Sequence, residues 1–240
     1  MKQSLYQQAA QCIRARIAEG TYPLGARIPG EQELAEQLRI SRPTVRQALD
    51  ILVREGRLVR VKGSGTFVTE PKLVHESTTF VTGYREESRK KHRSLLTQVV
   101  ALCQEKAGEE TAAALGIHPG APVTRLTRIR RLEGLYGGAP VVYTTVLVPV
   151  SLLPDMAELD FTDASFYELL DSRALSVVHA SRTLEVTMPP AEVAAGLEIS
   201  PFEPVVFIAS VGKLQDGRAI EYAKSYYPAS RSRFQIEIDR

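Results

Sequence analysis

The chain of 240 residues has only two cysteines, Cys12 and Cys103, far apart, in no Cys-x-x-Cys and with no neighbouring histidine. That excludes a disulfide framework and a zinc cage, and leaves two buried thiols in a reducing cytoplasm as the expected state. Histidine is as scarce: His75, His92, His118 and His179 are scattered, in no Ser/His/Asp or Cys/His order, and no paired carboxylates stand out. Nucleophilic and acid–base chemistry have no evident constellation, so no catalytic residue, metal or cofactor is expected. Long apolar runs are missing too. The first twenty residues, MKQSLYQQAAQCIRARIAEG, hold no apolar segment of signal-peptide length. Gly134 to Pro154 is uncharged and nearly long enough to span a membrane. Its Gly137, Gly138, Pro140 and Pro149 and its Tyr-Thr-Thr centre make it a strand between turns instead, and no membrane partner is expected.

What is present is a composition near the globular average, with 44% hydrophobic and 24% charged residues, which sets disorder aside and allows two modest domains. The net charge of +2 suggests no partner until the chain is divided. Residues 1–70 hold 11 basic against 7 acidic side chains and the remainder 19 against 21, so the basic excess sits at the front.

Within that front segment, Leu5 to Ile17 has helical apolar spacing and Gly20 to end it, and Glu31 to Leu38 reads as a second helix behind Gly30. A third helix starts at Ser41, a good N-cap, has Pro43 in its first turn, and stripes Val45, Ala48, Leu49, Leu52 and Val53 along one face before Gly56 stops it. Its free face opens with Arg42, Thr44, Arg46 and Gln47, where side chains enter a DNA major groove in helix-turn-helix proteins. Two β-prone runs follow, Leu58 to Val61 and Thr66 to Val68, joined by Lys62-Gly63-Ser64-Gly65. A basic third helix followed by a cationic hairpin is the order of a winged helix-turn-helix; the plainer alternative is a three-helix bundle with a solvated basic face.

The string YPLGARIPGEQELAEQLRISRPTVRQALDILVREGRLVRVKGSGTFV resembles the DNA-binding domain of GntR-type transcription regulators. Gly25, Pro29, Glu31, Leu34, Ser41-Arg42, Thr44-Val45-Arg46, Ala48-Leu49, Glu55-Gly56 and Gly63-x-Gly65-Thr66-Phe67-Val68 carry the likeness, and Gly30 departs from it where a Ser is usual. The resemblance implies a double-stranded DNA operator as partner. It places Arg42, Thr44 and Arg46 on bases and phosphates, Arg27 and Arg39 nearer the backbone, and Gly65 in a wing that touches the minor groove. Ser41, Gln47, Lys62, Gly63 and Ser64 complete the expected DNA-binding set.

Thr69 to Thr79 lacks periodicity, and the expected division is residues 1–70 as the winged helix, 71–79 as linker and 80–240 as a second domain. That second domain holds a repeat: the segment from Ala112 to Pro149 can be laid over the one from Val193 to Pro228. Leu115 to Pro122 and Leu197 to Pro204 are both seven apart, and Pro140 to Pro149 and Ala219 to Pro228 both nine. Each copy reads as short helix, turn, long strand, tight turn and return strand, which predicts an antiparallel α+β domain with a pseudo-twofold sheet. Chance likeness between β-rich segments is the alternative. Alternation along Val123 to Leu132 puts Arg128 and Arg130 on one face with Thr124 and Leu126. Such a pair marks an anion site; alternatively, one arginine pairs with Glu133 or Glu185 and the other is solvated.

TRLTRIRRLEG, the GGAP turn, SFYELL and DGRAIEYAKSYYPASRSRFQIEI resemble the effector-binding UTRA domain of the HutC subgroup, over roughly residues 77–240. This likeness implies a chorismate-lyase-like fold that senses small anionic metabolites, sugar phosphates among them. It places effector contacts on Arg128, Arg130, Ser165, Tyr167, Glu221 and Tyr227. Ser165 at a helix start suits an anion or an ordinary N-cap. Thr144 also belongs to the expected site and departs from the pattern, since amino-sugar-phosphate sensors of the subgroup usually carry Glu there. Phe80 to Tyr84, often pocket-lining in the subgroup, fits the pattern loosely, and Arg89 to Arg93 reads as a solvated face.

The function implied is that of a cytoplasmic, homodimeric repressor released from a palindromic operator by a small anion. A lyase-like enzyme fused to a DNA-binding domain, or a DNA-binding protein without ligand, are the competitors.

Overall fold

The computed structural model describes residues 4–75 and 94–236. By compactness the chain divides into Met1–Lys72 and Leu73–Arg240.

The first unit runs α1 (Leu5–Ala18), α2 (Glu31–Leu38), α3 (Arg42–Arg54) and a hairpin of β1 (Leu58–Val61) and β2 (Gly65–Val68). The apolar stripe of α3, buried at Val45, Ala48, Leu49 and Leu52, packs on Ile13 of α1 and Leu34 of α2. Ser41 caps α3 by accepting from the Thr44 N–H at 3.4 Å, and Glu55 and Gly56, the latter at φ +70°, close it. The hairpin is antiparallel, from Leu58↔Val68 to Val61↔Gly65, and Ile28 N–H donates to the Thr66 carbonyl, so the segment before α2 flanks the wing.

The second unit is built on a six-stranded sheet. In chain order it runs β3 (Leu73–His75), β4 (Leu95–Lys106), α4 (Glu109–Leu115), β5 (Pro122–Leu132), β6 (Pro140–Pro149), α5 (Phe166–Ser172), β7 (His179–Thr187), α6 (Ala191–Leu197), β8 (Val205–Lys213), β9 (Ala219–Pro228) and β10 (Ser232–Phe234). The sheet order is β4-β5-β6-β9-β8-β7, antiparallel throughout. Strand, helix, strand, strand occurs twice, and the halves meet at β6 and β9, so the repeat read from the sequence is structural and extends one strand further towards the N-terminus in each copy. The uncharged Gly134–Pro154 stretch is centred on β6. No helix among the described residues is long and apolar enough to cross a membrane.

Helices α4 and α6 cover one face of the sheet. Ala112 and Leu115 pack on Val123, Leu147 and Tyr222, and Val193 and Leu197 pack on Ile129, Tyr143 and Val205. The other face carries Leu126, Val146 and Ala223 under Leu153, Met156, Phe161 and α5.

Two expectations are corrected. The linker expected at 71–79 contains β3, whose Leu73 and His75 are buried because they pair in parallel with Ser232 and Phe234 of β10. Residues 76–79, Phe80 to Tyr84 and Arg89 to Arg93 lie outside the described residues. Cys12 and Cys103 are free but half-exposed rather than buried; Arg125 reaches Cys103 Sγ at 3.5 Å.

Gly196 of α6 faces the sheet so closely that a Cβ there would meet the Tyr143 ring at 2.8 Å. Gly196→Ala gains helix propensity, yet must displace a buried ring, and a net destabilisation of about 1–2 kcal/mol is expected from urea unfolding. An unchanged or raised midpoint would show that α6 does not need this close approach.

Candidate nucleic-acid interface and effector site

In the first unit Arg27, Arg39, Ser41, Arg42, Arg46, Gln47, Lys62, Gly63 and Ser64 are exposed, and Thr44 and Gly65 are half-buried. The start of α3 is organised by a 2.8 Å contact between the Ser41 and Thr44 hydroxyls. Arg46 is held by Glu31 at the start of α2, with Nε 3.1 Å from both carboxylate oxygens and Nη2 2.8 Å from one, which lowers the Glu31 pKa below the ordinary carboxylate value. Arg27 lies against Gly65, where φ is +128° and a Cβ would come within 2.6 Å of Arg27 Nε. Two residues of the expected set are thereby joined; the backbone conformation favours glycine, and a side chain there would also have to displace the flexible end of Arg27. Arg39 takes a left-handed conformation, φ 55°, at the end of α2. Asp50 of α3 binds Arg60 of β1 at 2.5 Å, tying the helix to the wing.

In the second unit the register gathers most of the expected effector residues. Arg128 pairs with Thr144, Thr144 with Ser225 and Ser225 with Ile208, so one cross-sheet row carries Arg128 and Thr144 on the same face. Strand alternation adds Arg130 on β5 and Glu221 and Tyr227 on β9. The alternative in which one arginine is solvated fails, since Arg128 and Arg130 are 4% and 6% exposed. The Arg128 guanidinium sits 5.7 Å above the Phe161 ring. Glu221 is fully buried: Oε1 accepts from the Tyr167 hydroxyl at 2.6 Å, while Oε2 has no hydrogen-bond partner. Burial raises the Glu221 pKa from 4.5 to about 7, against the opposing pull of the Tyr167 hydrogen bond and of Arg182 and Arg128. Burial, then the Glu221 charge, raises that of Tyr167 well above its ordinary value. Ser165 acts as the N-cap of α5, accepting from Glu168 N–H at 3.4 Å.

Three residues outside the expected set lie beside it. Arg182 of β7 donates to the Ser210 hydroxyl of β8 at 3.4 Å, and both share the face of Glu221 through the rows Val146–Ala223–Ser210–Arg182. Alternation on β7 would have found Arg182 only once the strand was recognised. The third is His75, whose ring lies 4.8 Å from Tyr227 and 4.9 Å, stacked, from Phe234. Its segment had been read as linker. Away from this face, an open groove of about 400 Å³ between the end of α4, Pro149 and the β8–β9 turn contains none of the expected residues. No group of three or more His, Cys, Asp or Glu able to hold a metal occurs among the described residues.

A winged helix followed by a duplicated antiparallel sheet with a cationic, largely buried face defines a class, the one-chain transcription regulator with its own effector domain. Residues 5–68 match the family of bacterial regulatory proteins called gntR and residues 90–233 match the UTRA domain, and the chain belongs to the GntR family, with relatives of the HutC type. It is 31% identical over 236 residues to the HTH-type transcriptional repressor NagR of Bacillus subtilis, covering 98% of this chain and 95% of that one. It is 32% identical over 233 residues to the histidine utilization repressor of Pseudomonas putida, covering 96% and 90%. The crystal structure of PhnF from Mycobacterium smegmatis superposes with a TM-score of 0.75 at 30% identity, covering 96% of this chain and 98% of that one. The family is one of regulators, not enzymes.

Because the folded pKa of Glu221 lies above its unfolded value, the native state keeps a proton that the unfolded chain releases between about pH 4.5 and 7. This group's contribution is greatest below that window and falls by about 3 kcal/mol as pH rises through it. Glu221→Gln should therefore gain stability over wild type between pH 5 and pH 8 by urea unfolding. Parallel pH profiles for the two proteins would show Glu221 to be ionised in the native state.

Proposed function

We propose that this chain is a DNA-binding transcriptional repressor released from its operator by a small anionic metabolite. The observation that carries the effector half is the burial of Arg128 and Arg130 on one face of an apolar sheet. Two guanidinium groups on one strand face, largely withdrawn from water, offer charged N–H donors from which a small anion can accept charge-assisted hydrogen bonds. Thr144, Glu221 and Tyr227 on the same face, and Tyr167 bonded to Glu221, supply neutral or proton-bearing groups suited to the hydroxyls of a sugar phosphate, with Ser165 at the start of the helix that carries Tyr167. Thr144 offers one hydroxyl in place of a carboxylate, so the sugar differs from an amino sugar or presents fewer hydroxyls at that point. The names of the relatives support the repressor reading.

The DNA half rests on the exposed face of α3 and on the wing. Arg42, Thr44, Arg46 and Gln47 stand at the start of α3, as a recognition helix requires, with Arg27, Arg39, Ser41, Lys62, Gly63, Ser64 and Gly65 contributing backbone and minor-groove contacts. A homodimer reading two half-sites of a near-palindrome follows from the geometry of such modules, and a cytoplasmic location from their target. Coupling between the halves passes through Tyr227: His75 packs on its ring and belongs to β3, which begins where the DNA-binding unit ends.

A thermal-shift panel of sugar phosphates, amino-sugar phosphates and other small anions tests the effector. A ligand at a hundred times its Kd adds about 2.7 kcal/mol of stability, and Arg130→Ala should abolish the shift. A panel without any shift, or a shift unaltered in the variant, removes the anion site. For the DNA half, duplexes selected from a random library by the wild type should be bound at least tenfold more weakly by Arg46→Ala, with base preference relaxed. Equal affinity and preference would take Arg46 out of the recognition surface.

A further inference from the structure

The two copies of the repeat correspond residue by residue where each helix ends. The β5–β6 register shifts between Arg130 and Arg131, and the β8–β9 register shifts at the matching step, between Gly212 and Lys213. Helix α4 ends in the left-handed conformation at Gly116, φ 65°, and α6 does so at Glu198, φ 54°. Pro149 and Ser151 at the end of β6 match Pro228 and Ser230 at the end of β9. Each copy thus forms a niche between a helix end, a strand end and a hairpin turn, and the two niches are filled differently.

In the α6 copy the chain's own side chains occupy it. Arg131 donates to the Glu198 carboxylate at 2.7 Å and to the Gly138 carbonyl at 3.1 Å. Arg231 donates to the carbonyls of Pro140 and Leu197 at 2.5 and 3.4 Å. In the α4 copy Lys213 stands in place of Arg131, Gly116 in place of Glu198 and Leu152 in place of Arg231. The cation is kept, while its carboxylate and the second guanidinium are gone. What remains is the open groove of about 400 Å³, with Leu115, Ile117, Pro149, Leu152, Lys213 and Arg218 among its walls. Asp216 engages Arg218 at 2.7 Å, and no carboxylate among the described residues pairs with Lys213.

We propose that this groove binds a small carboxylate with a short apolar body, its carboxylate on Lys213, where the other copy places Glu198, and its body against Leu115, Ile117, Pro149 and Leu152. An apolar lining with few charged groups is the make-up of a small-molecule site, and the charge to be matched is that of one ammonium, since Arg218 already has its partner. The proposal goes beyond the repressor reading, because none of the expected effector residues lines the groove. Lys213↔Ala219 is nevertheless the pair next to Gly212↔Glu221, one step along β8 and β9 from the buried carboxyl group.

The test titrates phenylacetate into the isotope-labelled full chain without DNA and follows backbone amides by NMR. Saturable shifts are expected at Gly116, Ser151 and Gly217, with at least tenfold weaker binding of the neutral phenylacetamide. Lys213→Gln, at an exposed position, should weaken phenylacetate at least tenfold. Gly116→Glu, which gives Lys213 the carboxylate of the other copy, should do the same, and Glu198 shows that the left-handed position accepts that side chain. Lys213→Gln decides the matter if Gly116→Glu fails to fold. The absence of saturable shifts overturns the proposal, as do shifts confined to the surroundings of Arg128 and Arg130 or an unchanged affinity in Lys213→Gln. Operator binding plays no part in these readings, so the repressor reading stands or falls separately.

Discussion

The pairing of β6 with β9 is the contact on which the second unit depends. Five residue pairs, from Tyr143↔Tyr226 to Leu147↔Tyr222, join two three-stranded halves that would otherwise each expose an apolar edge. Each half brings one helix to the same face, and the opposite face becomes continuous only through this junction. The expected effector residues on the sheet are divided across it: Arg128, Arg130 and Thr144 come from the first half, and Glu221 and Tyr227, with Ser210 and Arg182 on the same face, from the second.

Charge is handled in opposite ways by the two units. On the sheet, guanidinium and carboxyl groups are taken out of water, where attraction and repulsion are strong and an unmatched charge is costly. Glu221 answers by holding its proton near neutrality, and Arg128 by lying over Phe161. On α3 the Arg46–Glu31 pair is bidentate yet solvent-exposed, and screening makes such a pair cheap to open. The first arrangement suits a face that receives an anion, and the second a side chain that can turn from one carboxylate to a base or a phosphate.

Legibility in the sequence followed the range of the interactions. The recognition helix was readable because Ser41, Pro43 and Gly56 act within a few residues of themselves, and the wing because of its glycine-bearing tip. The repeat was readable because Pro and Gly mark the ends of its strands at fixed spacing, and the Arg128/Arg130 face because alternation by two needs only the strand. What escaped depends on distant partners. Strand β3 exists only because β10, more than 150 residues later, offers Ser232 to Phe234 to pair with it. Strand β7 alternates in burial only over its first half, where Ala180 and Arg182 are half-buried, and its later residues are exposed on both faces, so no apolar period announced it or Arg182 upon it. The packing of Arg128 over Phe161 likewise brings together residues distant in the chain, which the local pattern does not encode.

Gly212 gives the duplication a sense beyond architecture. In the overlay of the two copies, Arg128 corresponds to Ser210 and Arg130 to Gly212, so the cations survive in one copy alone. The vacated position is taken: a Cβ on Gly212 would lie 2.7 Å from Glu221 Cγ, and the acid side chain rests where its counterpart's guanidinium stem would begin. The two halves are therefore alike in backbone and unlike in charge: a buried guanidinium stands at this position in one, and the buried carboxyl side chain of Glu221 crowds it in the other.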